Sequence, residues 1–331
     1  MNHHPRRIAC AAALLLSLPA LSGTAAAQGS ADAYPTRPVT WIVATAAGGG
    51  VDFESRIYAQ KMGEALGKNF VIDYKPGAGS TIGAAYVAKA APDGYTIVSL
   101  TPSHTISAMV YASLPYDLNK DFAPISLTSK RPSLFLVHPS FPAQTFREYI
   151  ALAKQNPGKY DIGTSGAGTI GHLALAWLHN LAGIQVTYVN YKGGAPSYTA
   201  LIAGEIHGAI GSPAAMIPHI KTGKARALVT TTTERIRILP DLPTAQELGL
   251  AGYDYSQWIG VAAPARTPPA IVNRLSAELA KIVRMPDVYA KVADDGTIMI
   301  GSTPEQLRKY IADESARWRK VVADSGIKLA E

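Results

Sequence analysis

Thr40 to Asp52 reads TWIVATAAGGGVD, and this stretch decides how the rest of the chain is read. Thr40 to Ala44 is branched and apolar, as a buried strand requires, and Gly48, Gly49 and Gly50 follow within a few residues. Asp52 then opens FESRIYAQKMGEAL, a helical stretch that stops at Gly67. A strand feeding a glycine loop and then a helix N-terminus holds anions well. The loop carries no side chains to block close approach, and the first-turn amides have no intrahelical partner. The construction returns at Pro76–Gly79 (PGAG) and Thr164–Gly168 (TSGAG), so several such loops can converge on one ligand. Asp52 is expected to cap its helix and Arg56 to make a structural bond on it. Gly67, Gly94 and Gly183 read as helix ends or turns.

Around that stretch, strand and helix signals alternate. Strand 39–44 leads to helix 52–66, strand 69–74 to a helix after Ser80, and strand 94–100 follows the turn Pro92-Asp93-Gly94. This order marks a mostly parallel sheet with helices on its faces. Apolar runs at 123–127 and 133–138 bracket the cluster Ser129-Lys130-Arg131-Pro132, where a second cycle begins. Thr145 and Glu148 form a capping box for helix 146–155. Strand 159–164, the TSGAG loop and helix 169–182 come next. Strand 185–190, helix 196–203 and strands near 206–211 and 225–231 complete this half. Thr244 and Glu247 are expected to cap a short helix after the proline-punctuated LPDLP, and 253–263 reads as a returning strand. The C-terminal segment is helical, and its stripe of Leu307, Tyr310, Ile311, Trp318 and Val321 or Val322 is expected to dock on the body.

Composition narrows the function. The chain has 331 residues, 47% hydrophobic and 17% charged, which is globular rather than disordered. Residues 1–27 read as a signal peptide: a cationic MNHHPRR, an apolar Ile8 to Leu21, and small residues ending at Ala27. Export to the periplasm follows. Cys10 is the only cysteine, so the mature chain is expected to carry no disulfide, thiol catalyst or cysteine–zinc site. The formal charge of +7 falls to about +5 once Arg6 and Arg7 leave with the leader. The basic residues are scattered singly, which argues against nucleic acid and suits a collector of anions.

Enzyme readings weaken on inspection. Gly166-Ala167-Gly168-Thr169-Ile170-Gly171 matches G-x-G-x-x-G, but 186–192 (VTYVNYK) lacks the acid a dinucleotide ribose needs. Ser165 on a strand-to-helix turn resembles a nucleophile elbow, yet Gly163-Thr164-Ser165-Gly166-Ala167 misses its last glycine. A serine hydrolase would also have to use Glu205 and His207, which are too close in sequence to come from separate strand ends. The histidines beyond the leader show no metal-ligand spacing. No catalytic residue, metal or cofactor is expected. His104, just past the strand end Thr101-Pro102-Ser103, is kept as a pocket candidate, and Lys192 stays ambiguous.

The chain resembles the substrate-binding receptors of tripartite tricarboxylate transporters, the Bug family. The likeness covers nearly the whole mature chain. It rests on YPTRPVTWIV (34–43), GGGVD with Arg56, PGAGSTIGA (76–84), AAPDGYT (90–96) and TSGAGTIGHLA (164–174). YKGGAP (191–196), LPDLPTAQELGL (239–250) and Trp258–Pro264 continue it. The resemblance implies an α/β chain with the type II periplasmic binding protein fold, two lobes with a ligand cleft between them. Lobe 1 would span 34–129 plus 256–331, and lobe 2 130–255. It further implies that loops hold a carboxylate through amides, hydroxyls and water. Carried over, Ala47, Gly48, Gly49, Gly50 and Val51 form one grip, with Ala78 and Gly79 beside it. Ser165, Gly166, Ala167 and Thr169 face them, helped by Gly193, Gly194 and Ser212. The implied partners are a small carboxylate and the large and small membrane components of the transporter, with the receptor a monomer. Two departures stand out: Val51 where the family commonly has Thr or Ser, and Gly211 where it commonly has Asp. With Phe53 and His104 near, they suggest a bulkier di- or tricarboxylate, even an aromatic one such as a benzene dicarboxylate. A receptor for a membrane histidine kinase, or a secreted serine hydrolase, are the alternatives.

Overall fold

A computed structural model of the chain describes Met1 and residues 33–111, 113–293 and 296–325. The expected leader, its cleavage site and Cys10 otherwise lie outside the described residues. The chain divides between Tyr34 and Pro35, and the architecture below belongs to the part from Pro35 onward.

Strand β1 (Val39–Val43) is buried along most of its length, so it needs neighbours on both edges. It has them: β2 (Phe70–Tyr74) and β3 (Thr96–Leu100) run parallel on either side. Beyond β3 the direction reverses. Strand β10 (Gln257–Pro264) pairs antiparallel with β3 and with β4 (Phe122–Arg131), and the short β11 (Ile298–Met299) closes that edge. A second sheet repeats the plan. β6 (Asp161–Thr164) lies between β7 (Thr187–Asn190) and β8 (Gly208–Gly211), all parallel, and β5 (Leu134–Val137) then pairs antiparallel with β8 and with β9 (Arg226–Thr230). The two mixed α/β sheets are two lobes. The chain passes between them twice, from β4 to β5 and from β9 to β10. At the passage Thr231 donates its hydroxyl to the Tyr255 carbonyl (2.8 Å) and accepts the Ser133 N–H (2.9 Å), so the two crossing strands are tied.

Helices follow most of the parallel strands. In the first lobe these are α1 (Gly50–Leu66), α2 (Thr81–Ala88) and α3 (Pro102–Val110). In the second they are α4 (Phe146–Gln155), α5 (Ile170–Ala182), α6 (Gly194–Ala203) and α7 (Pro213–Lys221). Helices α8 (Pro269–Ile282), α9 (Pro286–Val292) and α10 (Pro304–Ser325) complete the chain. The stripe on α10 does dock: Leu307, Ile311, Trp318 and Val321 are buried. Each such side chain contributes about 1.5–3 kcal/mol by leaving water. α10 packs on β4 and α3 of one lobe and on α5 of the other, with the rings of Trp318 and Trp177 5.9 Å apart.

Four local expectations differ from the structure. α1 starts at Gly50, two residues before Asp52. α3 and α7 are helices that the periodicity does not announce. β4 runs through Ser129, Lys130 and Arg131 instead of breaking there. The Thr244–Glu247 box forms both of its hydrogen bonds (2.9 and 3.1 Å) but closes a turn, because the chain reverses before a helical turn can follow.

Candidate functional site

Three parallel strands in each lobe end on the same side and hand over to helix N-termini. Open α/β sheets bind ligands at this carboxyl edge. In the first lobe β1 leads to α1, β2 through residues 75–80 to α2, and β3 through Thr101 to α3. In the second β6 leads through residues 165–169 to α5, β7 through Gly193 to α6, and β8 through Ser212 to α7.

Two of these ends face each other across one cavity of about 290 Å³. Gly79, Ser103, Ile106, Ser107 and Tyr111 line it from the first lobe, and Gly168, Thr169 and Ile170 from the second. Ser103 stands in the first turn of α3, and Thr169 caps α5. Both positive helix ends therefore border the same space, and no lysine or arginine is among the described residues that line it. A larger cavity of about 750 Å³ runs along β9 and is lined entirely by second-lobe residues. The smaller one is the candidate, because among the described residues it is where helix N-termini from both lobes converge.

The second-lobe turn is tightly specified. The Gly166 N–H goes to Thr164 Oγ1 (3.2 Å), the Gly168 N–H to His172 Nδ1 (3.2 Å) and the Gly193 N–H to the Ser165 carbonyl (3.1 Å). Thr169 Oγ1 donates to the Gly166 carbonyl (2.8 Å) and lies 3.1 Å from Ser165 Oγ. Among the described residues, the N–H groups of Ala167, Ile170 and Gly171 find no partner within the chain. Gly168 has φ +68°, a left-handed conformation that favours glycine.

The remaining sequence candidates fall as follows. Ala47, Gly48 and Gly49 are exposed on the β1–α1 loop, and Gly50 and Val51 are half-buried at its end; none of the five lines the cavity. The Gly48 N–H is already committed, donating to Asp52 Oδ2 at 2.7 Å. Asp52 also accepts from Arg56 Nε (2.7 Å) and Tyr74 Oη (2.6 Å). Its burial opposes ionisation, yet the bonds from Tyr74, Gly48 and Arg56 outweigh this and hold its carboxyl below the usual range. Gly50 is a glycine for packing: a Cβ there would stand 1.6 Å from Arg131 Nη1. Ala78 is exposed beside the cavity-lining Gly79. Gly193, Gly194 and Ser212 sit at the carboxyl edge without lining the cavity, and the Ser212 hydroxyl accepts the Ala215 N–H (3.4 Å). His104 is fully buried, its Nδ1 accepting the Thr101 N–H at 3.0 Å as half of a capping box. Burial pushes its pKa down to about 4. Phe53 is exposed on α1, and a Cβ at Gly211 would meet Met216 and Tyr198 at 2.8 and 3.1 Å, so that space is already filled.

Sequence reasoning missed Ser103, Ile106, Ser107 and Tyr111. Their i, i+3, i+4 spacing and the Thr101-Pro102 start were the available signals. Among the described residues no group of three His, Cys, Asp or Glu side chains could hold a metal ion.

Comparison with known proteins settles the family. Residues 55–327 match the model of the tripartite tricarboxylate transporter family receptor. The chain belongs to this family. It is a solute-binding receptor by descent, a transport protein and not an enzyme. A protein of Pseudomonas sp. (strain P51), encoded in the tcbD-tcbE intergenic region, is 35% identical over 294 residues, 88% of each chain. An R. palustris protein solved with adipate is 34% identical and superposes with a TM-score of 0.72 over 90% of this chain and 100% of that one. MatC from Rhodopseudomonas palustris, solved with bound malate, is 30% identical with a TM-score of 0.68, over 87% and 100%. These likenesses give the receptor the periplasmic binding protein fold.

Proposed function

We propose that this receptor captures an organic dicarboxylate in the periplasm and delivers it to the large and small membrane components of a tripartite tricarboxylate-type secondary transporter. The observation that carries the reading is the opposition of the α3 and α5 N-termini across a single cavity. One carboxylate accepts the unpartnered N–H groups of Ala167, Ile170 and Gly171, aided by the Ser165 hydroxyl. Charge-assisted bonds to several main-chain donors in a water-poor cleft support micromolar binding, roughly 8 kcal/mol. Ser103, Ser107 and Tyr111 meet the other end of the ligand, and Ile106 and Ile170 supply apolar walls for its carbon skeleton. Those walls accept a methylene chain such as that of adipate, or a flat ring such as that of a benzene dicarboxylate. The glycine loop at 47–51 and the edge residues Gly193, Gly194 and Ser212 close on the ligand when the lobes, divided near 130 and 256, swing about their two crossovers. The leader is removed after Ala27, and the receptor works as a monomer.

The test is a thermal-shift and calorimetric panel of succinate, malate, adipate, citrate, phthalate, terephthalate, benzoate and aspartate. Stabilisation by one or more dicarboxylates, with benzoate weaker, is the expected result. A protein that no carboxylate stabilises at millimolar concentration would overturn the reading, and stabilisation by phthalates alone would select the ring.

A further inference from the structure

The turn that opens α5 has one side chain behind it that the binding scheme leaves unused. His172 is the third residue of α5, and its ring folds back under the turn, 6% exposed. Nδ1 takes the Gly168 N–H at 3.2 Å. The ring stands edge-on to Tyr188, with centroids 4.7 Å apart. Tyr188 Oη in turn lies 2.9 Å from His179 Nδ1, and His179 Nε2 lies 3.1 Å from Tyr149 Oη. The turn thus rests on a buried stack of ring side chains drawn from α4, α5 and β7.

The chemistry of imidazole makes this support conditional. Nδ1 accepts an N–H only when it carries no proton, so the ring proton sits on Nε2. That atom is buried and has no hydrogen-bond partner among the described residues. The titratable group against the ring is Tyr188 from β7, and behind it stand His179 of α5 and Tyr149 of α4; among the described residues no carboxylate contacts the ring. Protonating His172 would place an N–H donor against the Gly168 donor. Burial disfavours that form and pushes its pKa below the usual imidazole value.

We infer that His172 is a positioning residue for ligand capture: by taking the Gly168 amide it sets the 166–170 turn, so that the N–H groups of Ala167, Ile170 and Gly171 stay free for a carboxylate. The inference rests on the carboxylate-binding reading above. Loss of the acceptor lets Gly168 rotate and dissolves the array. Asparagine retains an acceptor oxygen on a short side chain and has no imidazole to protonate.

The full chain is titrated with adipate and with malate from pH 5 to 8 as wild type, His172→Ala and His172→Asn. Wild-type affinity is expected to weaken toward the acid end. His172→Ala is expected to bind roughly tenfold more weakly at pH 7, and His172→Asn within roughly threefold of wild type, its acid-side decline reduced to the part that protonation of the ligand's own carboxyl causes in both proteins. A second measurement needs no ligand: the Gly168 amide resonance of the free wild type should shift as the His172 ring titrates, and should stay still in His172→Asn. A folded His172→Ala that binds as wild type does, or a Gly168 amide indifferent to the ring, would overturn the inference. Should His172→Ala not fold, His172→Asn and the amide resonance decide it. A wild type that binds no carboxylate would sink the binding reading instead, while the amide resonance still judges whether His172 holds the turn.

Discussion

The carboxyl of Glu314 accepts the indole N–H of Trp258 at 2.5 Å. It also accepts the Trp318 indole N–H (3.2 Å) and the Thr105 hydroxyl (3.4 Å). These partners stand on the crossover strand β10, on α10 itself and on the cavity-lining helix α3, so one buried group joins the crossover to the site. Glu314 is 3% exposed, and burial is the main reason its pKa is pushed up to about 7.

A carboxyl with a raised native pKa holds a proton that the unfolded chain has already lost. From pH 4.5 to about 7 the native state therefore binds more protons, and stability falls as pH rises through that window. The decline from this group is up to about 3 kcal/mol. Glu314→Gln is expected to flatten it, while costing about 1 kcal/mol at pH 5 for the acceptor it loses. Urea unfolding at several pH values measures both. Identical pH slopes in the two proteins would refute the assignment.

Asp52 behaves in the opposite sense. Its depressed pKa means that its bonds to Gly48, Arg56 and Tyr74 stabilise the fold above the unfolded value of 3.8, and that this stability is lost as pH falls below it. Asp52→Asn is expected to cost about 1–2 kcal/mol at pH 7, as for weakening hydrogen bonds to a charged group. It should also remove the acid-side loss. Denaturant curves at pH 3 and pH 7 check this; a neutral effect at pH 7 would contradict the stabilising role of these bonds.

At Gly50 the expected effect comes through packing. The Arg131 guanidinium lies over this residue and pairs with the fully buried Glu54 at 2.7 Å. A methyl group at Gly50 displaces it and weakens its ion pair with Glu54. Gly50→Ala is therefore expected to cost on the order of 3 kcal/mol, the penalty for disturbing a buried pair. An unchanged melting temperature would show that Arg131 finds another route to Glu54.

Features with a local cause were legible in the sequence. The strand, glycine and helix succession from Val39 to Leu66 is visible because each residue's preference agrees with its neighbours'. Thr145 with Glu148, and Thr303 with Gln306, cap their helices as their spacing suggests. Features with distant causes were not legible. β4 keeps its strand through Ser129, Lys130 and Arg131 because Glu54 and Asp254, far along the chain, supply partners. α3 has His104 where a capping box usually has Glu or Gln, and it is held by packing on α10. That is why the Ser103, Ile106, Ser107 and Tyr111 wall of the cavity went unread. The glycine loops could be recognised singly, but which of them share a cavity depends on how the lobes meet.

Ser103 separates stability from binding at the candidate site. It is exposed in the first turn of α3 and faces Thr169 and Ile170 across the cavity. An aspartate in a first helical turn interacts favourably with the helix dipole, so Ser103→Asp is expected to leave the stability unchanged or raise it slightly, by about 0.3–1 kcal/mol. The same carboxylate occupies the space where a ligand carboxylate would arrive. Repulsion there is expected to weaken adipate or malate binding by on the order of 100-fold. Calorimetry on the variant, read beside its melting curve, distinguishes a filled anion site from a damaged fold. Undiminished binding by a stable Ser103→Asp would place the ligand elsewhere on the carboxyl edge, with the 47–51 loop the next position to test.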